Sequence, residues 1–361
     1  MATIIILSLP ISSFAANVII KWNHSDSETD GYKLYYGIES RNYSTWIDVG
    51  DQTSYTLANL EPGTYYAAVT SYNSYGESDY SDEVIFTVEN DDPTDPGEIS
   101  FLEIGEININ NKWTEVEFEK TFSDPVVVAK GLSYNGSQPA VLRIKNIDNN
   151  GFEIRIQEWN YLDGRHLYET VGYTVVEAGI YILPDDTMVE AGHFETDNTK
   201  SFITVSFDQP FNQTPVVIAC ITTYNGSDTV TGRIRNITVE GFQFLMQEQE
   251  INKRSHLTEQ ISYLAWEPSS GRLNNLSFEI TKTGDVMRHT FKGIDFPELF
   301  NQAPVFIADM QTCDGKDTAS LRWDNKDLYG VDVKIEEEQS RDSEVKHTSE
   351  IVGYMAFSIE N

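Results

Sequence analysis

The sequence predicts an all-β protein: an N-terminal sandwich followed by three further six-stranded antiparallel sandwiches of one repeated design. Three observations carry that expectation. Short apolar or alternating runs, separated by turn-forming residues, recur along the chain, as antiparallel sandwiches require. The 19 Tyr and 18 Phe, with many Val, Ile and Thr, favour pleated strands, and no run of helical period has convincing length. Most informative, one set of residues returns three times. The first block has Phe122, Pro125, Asn135, Gly136, Arg143, Gly151, Phe152, Glu158, His166, Glu169 and Tyr173. The second has Phe211, Pro215, Asn225, Gly226, Arg233, Gly241, Phe242, Glu248, His256, Glu259 and Tyr263. The third has Phe300, Pro304, Asp314, Gly315, Arg322, Gly330, Val331, Glu337, His347, Glu350 and Tyr354. Gly151, Gly241 and Gly330 stand 90 and then 89 residues apart, so each repeat is a small domain in its own right.

Taken in order, residues 1–16 read as a secretory signal: an apolar run from Thr3 to Pro10, then small residues ending at Ala16. That run is too short to span a bilayer. Residues 17–90 follow as the first sandwich, with strands at Val18–Trp22, Gly31–Tyr36, Ser54–Leu57, Thr64–Thr70 and Asp82–Val88. No strand precedes Val18 in the processed chain, so a missing or shortened first strand is expected. Residues 91–99 place Pro93 and Pro96 among repelling carboxylates and form an extended linker. The repeats occupy 100–183, 184–270 and 271–361. In the first, Trp113–Phe118 alternates, Pro125–Ala129 is continuously apolar, and Asn135-Gly136 reads as a tight hairpin turn. Connectors this short make the three modules touch or nearly touch.

Charge narrows the function. With 25 basic and 57 acidic residues the net charge is −32, which argues against a nucleic-acid partner and suits the solvated surface of a secreted protein. Cys220 and Cys313 fall at different points of the repeat and are expected to be free thiols. Nucleophile elbow, phosphate loop, HExxH and dinucleotide fingerprint are all absent, so no enzyme is expected. Neither is a cofactor: no run matches a twelve-residue calcium loop, and one His-x-x-Glu per module cannot build a zinc site. His24, His193 and His289 have no recurring neighbours.

Two resemblances attach to these residues. Trp22, Leu60, Tyr65 and the stretch Ala68–Ser78 resemble the core tryptophan, tyrosine corner and last hairpin of the fibronectin type III domain, a family of spacers and binding modules. The repeats are similar to the H-type lectin domain in the entry to the strand at Pro125, the arginine strand, the turn Asn236–Phe242 and the closing aromatic strand, although that family closes on tryptophan where this chain has Tyr173, Tyr263 and Tyr354. The resemblance implies binding of glycans or surface polysaccharide by a secreted or cell-surface adhesion protein, with joined copies replacing a trimer.

Strand parity sorts the recurring polar residues. Glu158, Glu248 and Glu337 continue the apolar face of their strands, and Glu169, Glu259 and Glu350 open theirs on the inward parity. Buried carboxylates need partners, and Arg143, Arg233 and Arg322 are the obvious ones. One reading makes Arg, both Glu and His a network stapling the end of each sandwich. The other makes Arg143, Arg233, Arg322, His166, His256 and His347 the floor of a sugar site, with Trp159, Tyr161 and Asp163 completing a platform in the first copy. The competing class is a structural subunit that self-associates without sugar.

Overall fold

The computed structural model describes residues 4–9, 16–23, 29–61, 63–88, 101–252 and 255–359. The chain is all-β and divides into two compact units, residues 1–97 with 179–187, and residues 98–178 with 188–361. No helix among the described residues is long and apolar enough to cross a membrane. The expected linker at 91–99 and His24 lie outside the described residues.

In the N-terminal unit one sheet is ordered Ile4–Leu9, Ala16–Trp22, Ser54–Leu60. The other runs Thr45–Gly50, Gly31–Gly37, Gly63–Asn73, Gly76–Glu77, with Val84–Val88 also paired to Gly63–Asn73. Trp22, Tyr32, Leu34, Leu57, Val69 and Phe86 fill the space between the sheets. The Tyr65 hydroxyl donates to the Glu61 carbonyl at 2.9 Å, which fixes the corner before the long strand. The expectation of a missing first strand is corrected: Ile4–Leu9 pairs antiparallel with the next strand, Ile4 opposite Trp22, and it lies inside the run read as a signal.

Each repeat is a sandwich in which three strands face three, and the second of the two sheets carries a fourth, edge strand in the second and third copies. In the first copy Thr114–Glu117, Gly151–Glu158 and Ala140–Asp148 form one sheet, and Leu102–Ile109, Glu169–Glu177 and Pro125–Ser133 the other. Ile203–Ser206, Gly241–Glu248 and Val230–Arg235 face Met188–Thr196, Glu259–Trp266 and Val216–Ile221 in the second. The third has Lys292–Asp295, Gly330–Glu337 and Ala319–Asp324 against Leu276–Lys282, Val352–Ile359 and Val305–Met310. The repeating Phe and Tyr meet between the sheets, Phe152 with Tyr173 at 5.5 Å and Phe242 with Tyr263 at 5.4 Å.

One turn differs from its sequence reading. Asn135-Gly136 is not a hairpin, because the strands on either side of it belong to opposite sheets. The recurring tight turn falls later, where Asn146, Asn236 and Asn325 adopt φ of 51°, 50° and 52°. Asparagine tolerates that left-handed conformation, and each amide donates to a residue seven positions onward, Glu153, Gln243 or Asp332.

The continuously apolar strands have a reason to be so. Val127 and Ala129 enter the core of the first copy, while Val126 and Val128 on the opposite face are also fully buried. A strand covered on both sides loses its alternation. What covers that second face is the other copies: the Ala129 N–H lies 3.3 Å from Cys220 Sγ in the second copy, and Lys130 reaches Asp309 in the third. Between the first and third copies the sheets even join, Pro125–Ser133 running parallel to Ala319–Asp324.

Candidate functional site

Within each copy a buried histidine bridges two glutamates. His166 lies 3.1 Å from both Glu158 and Glu169. His256 lies 2.7 Å from Glu248 and 3.1 Å from Glu259, and His347 lies 2.6 Å from Glu337 and 3.1 Å from Glu350. The glutamate that opens the last strand also accepts the backbone N–H groups of Asn135 and Gly136, of Asn225 and Gly226, or of Asp314 and Gly315. The recurring glycine is required here for close approach: a Cβ on Gly226 would stand 2.5 Å from His256 Nε2, and one on Gly136 or Gly315 also crowds its histidine.

Burial opposes charge on these groups, but the hydrogen bonds prevail for several of them. Burial favours neutral His256, yet the bonds to Glu248 and Glu259 raise it to about 9. Burial would likewise raise Glu259 and Glu350; His256, the Asn225 N–H and Thr223 hold the first at about 2, and His347, Arg233 and Thr312 hold the second at about 2. Glu169 is lowered by the same kind of contacts.

The arginines do not pair with the histidine-bridged glutamates of their own copies, which corrects the sequence reading; Arg322 does pair with Glu336 of its own copy. Each arginine reaches into the next copy. Arg143 donates to the Gly226 and Asp228 carbonyls at 3.1 and 2.8 Å and lies 3.5 Å from Glu259. Arg233 donates to Glu350 at 2.8 Å and to the Thr312 carbonyl. Arg322 returns to the first copy, at 2.7 Å from Glu169, with further bonds to the Ser133, Gly136 and Gln138 carbonyls. First to second, second to third, third to first: the contacts close a ring. The loops after the glutamate strands close the same circuit. Asn160 N–H donates to Gln249, Glu250 N–H to Glu338, and Gln339 N–H to the Tyr161 hydroxyl.

At the centre the three copies diverge. Lys130, Cys220 and Asp309 occupy one position of the repeat, five residues beyond Pro125, Pro215 and Pro304. Lys130 Nζ sits 2.6 Å from Asp309 Oδ2 and donates to the Ala219 and Gly232 carbonyls. Burial raises Asp309 against the pull of Lys130, and it pushes the Cys220 thiol up to about 12. Both cysteines are free.

The three junctions are also filled differently. Tyr224 lies over Arg143 at 4.5 Å and is flanked by Arg155, while Tyr134 lies over Arg322 at 4.9 Å beside Lys334. Between the second and third copies the corresponding residues are Cys313 and Leu245, so ring and second cation are both missing. There the Arg233 Nε and Nη1 and the Gln247 Oε1 have no partner. A pocket of about 340 Å³ opens at this junction, lined by Thr199, Lys200, Leu245, Gln247, Gln249, Glu250 and Asn252 among others. Burial, then the hydrogen bond and charge of Asp317, push Glu250 up to about 7.

Other expected site residues fall as follows. Arg143, Arg233 and Arg322 are 0% exposed and His166, His256 and His347 are buried, all within the ion clusters. Trp159 is 1% exposed, so it offers no open platform, which corrects that expectation; Tyr161 and Asp163 do reach the surface. Glu158, Glu169, Glu248, Glu259, Glu337 and Glu350 are buried in the network already described. The three histidines do not converge, and among the described residues no group of His, Cys, Asp or Glu is placed to hold a metal. Sequence reading missed Lys130 and Asp309, Tyr134 and Tyr224, and the pocket residues. Aligning the copies position by position would have exposed the first pair as an opposite-charge substitution on a buried strand.

Comparison with known proteins supports the domain reading of the N-terminal unit: residues 12–87 match the fibronectin type III domain. Halomucin of Haloquadratum walsbyi is 31% identical over 280 residues, covering 73% of this chain and 3% of halomucin. A Kelch domain-containing protein of Sulfurisphaera tokodaii is 34% identical over 104 residues, 28% of this chain and 14% of that protein. The chain thus spans a small part of the length of either relative.

Proposed function

We propose that this is an extracellular surface or adhesion-type protein, non-enzymatic, in which a fibronectin type III module accompanies a rigid ring of lectin-like copies. We further propose that it binds sugar hydroxyls at the junction of the second and third copies. The observation that carries this is the polar pocket there, since its volume falls in the range of small-ligand sites and its wall has Leu245 where the other copies carry Arg155 and Lys334. Gln247, Gln249 and Asn252 supply amides, Lys200 a donor, and Leu245 an apolar wall. Glu250, near neutral pH, both donates and accepts. The resemblance of the repeats to H-type lectins supports the same reading, and the similarity to halomucin supports the extracellular surface role. A glycan array with the full chain tests it: signal on a defined set of sugars, lost in Lys200→Ala with unchanged melting, is expected. A flat array rejects it.

A second reading rests on a different observation. Leu167, Tyr168, Ile251, Leu257 and Val345, all on the three equivalent loops, are 63, 63, 59, 60 and 46% exposed. Apolar side chains this exposed suit docking on another protein or a further copy. Concentration-dependent assembly on a sizing column, abolished by Leu257→Ser, with a flat array, would favour it.

A further inference from the structure

The N-terminal unit carries a second surface that its core does not use. On the outward face of the sheet Thr45–Gly50, Gly31–Gly37, Gly63–Asn73, Gly76–Glu77, directly opposed residues share a side. Tyr35 stands opposite Trp46, Lys33 opposite Asp48 and Thr70, and Tyr72 opposite Glu77. Tyr43 and Tyr80 join this face, with ring centres 6.3 and 5.0 Å from Tyr35 and 5.2 Å from each other. Trp46 is 57% exposed and Tyr80 46%. Solvent faces of antiparallel sheets are ordinarily polar, so a concentration of rings here calls for a partner.

The rings are held in place before any partner arrives. The Tyr35 hydroxyl donates to Glu77 at 2.6 Å, Tyr43 to Glu83 at 2.7 Å and Tyr72 to Asp48 at 2.9 Å. Gly31 leaves room for the Tyr72 ring to lie across its strand. Rings already fixed lose little freedom on binding. Their carboxylate clamps are saturated by these internal donors, which leaves ring faces and negative charge to meet a partner.

That pair of properties selects a cation. Lys33 already shows the chemistry: its ammonium lies 5.1 Å from the centre of Trp46 and 5.6 Å from Tyr72, paired to Glu77 at 2.6 Å. Bonds from Lys33, Tyr35 and Thr70 hold Glu77 at about 2, so its charge persists. Residues 17–90 contain three basic and twelve acidic side chains, which opposes docking of a second acidic copy. We propose that this face binds a lysine- or arginine-bearing segment of a basic protein, its cations stacking on Trp46 and Tyr80 within the field of Asp48, Glu77 and Glu83.

Fluorescence anisotropy of the full chain against a labelled dodecapeptide of alternating arginine and serine tests the proposal. The double substitution Trp46→Ala, Tyr80→Ala is expected to weaken binding about tenfold or more with unchanged melting, while Tyr329→Ala, an exposed ring in the other unit, has little effect. Equal loss from both variants, or none from the double, overturns it by showing only diffuse attraction to an acidic chain. So does Trp46-dependent binding of a neutral polysaccharide with no capture of the arginine peptide.

Discussion

The junction that closes the ring, third copy to first, and the junction between the second and third copies are built from the same residues and finished differently. Arg322 has every donor partnered, gains a second carboxylate in Glu336 at 2.5 Å, and stands where two sheets join. Arg233 occupies the same place yet leaves two of its three nitrogen positions unpartnered beside an open pocket. One junction is a lock, and the other has room. Joining three copies in one chain permits this difference, because a symmetric trimer of separate chains must finish all three junctions alike. The centre teaches the same thing. Three identical lysines or aspartates there would repel, whereas Lys130, Cys220 and Asp309 are complementary.

The largest expected effect breaks the lock. Arg322→Ala removes the buried guanidinium that Glu169 and Glu336 share, leaving His166 beside the first and Lys334 beside the second, and should cost roughly 3–5 kcal/mol, read as a fall in melting by calorimetry. Arg233→Ala strands one glutamate that keeps other donors, so a loss of about half that size is expected. Comparable losses would mean that the junctions are equivalent after all.

At the centre, Lys130→Met alone strands Asp309 and should cost about 3 kcal/mol or more. The pair Lys130→Met, Asp309→Leu should be nearly neutral, because an apolar replacement removes both desolvated charges. Chemical denaturation of the two variants checks this. Gly315→Ala pushes a methyl into the His347 ring and should lose about 1–3 kcal/mol, whereas Gly284→Ala, with nothing nearer than 3.9 Å, should change little.

Stability should also depend on pH with a defined sign. His256 is raised to about 9, so its contribution is complete below roughly pH 6.5 and is lost as pH climbs through 9. Glu259 and Glu350 lie at about 2, so theirs is complete above about pH 4.5 and is lost as pH falls toward 2. Melting should therefore be highest between about pH 4.5 and 6.5, and His256→Gln should flatten the alkaline limb. The smallest effect sharpens the contrast between junctions. Leu245→Arg with Cys313→Tyr supplies the missing cation and ring; it should gain about 0.5–1 kcal/mol and abolish sugar binding on the array.

Much of this was legible in the sequence because the copies check one another. Strand parity placed Glu158 and Glu169 inward, and they are buried. The triple return of Arg143, His166 and Glu169 marked a shared network. Parity describes one chain segment against its own core, however, and cannot say which neighbour a long side chain crosses to, so the arginines were assigned to the wrong copy. Asn135-Gly136 was misread for a related reason: a glycine kept for a histidine ring looks the same in sequence as one kept for a turn. Trp159 reads as a platform because an aromatic in a polar loop resembles a ligand contact, but its ring is buried. The rings of Tyr35, Trp46 and Tyr80 drew no attention, since strand residues are expected to be aromatic and only exposure sets these apart.

A double-mutant cycle on Arg322 and Glu169 tests the closed ring most directly, with Arg322→Met, Glu169→Gln and both together unfolded in the full chain. The ring predicts that the combined loss falls short of the sum by about 2 kcal/mol or more, although 153 positions separate the two residues. Strictly additive losses would contradict it and leave three modules strung in line.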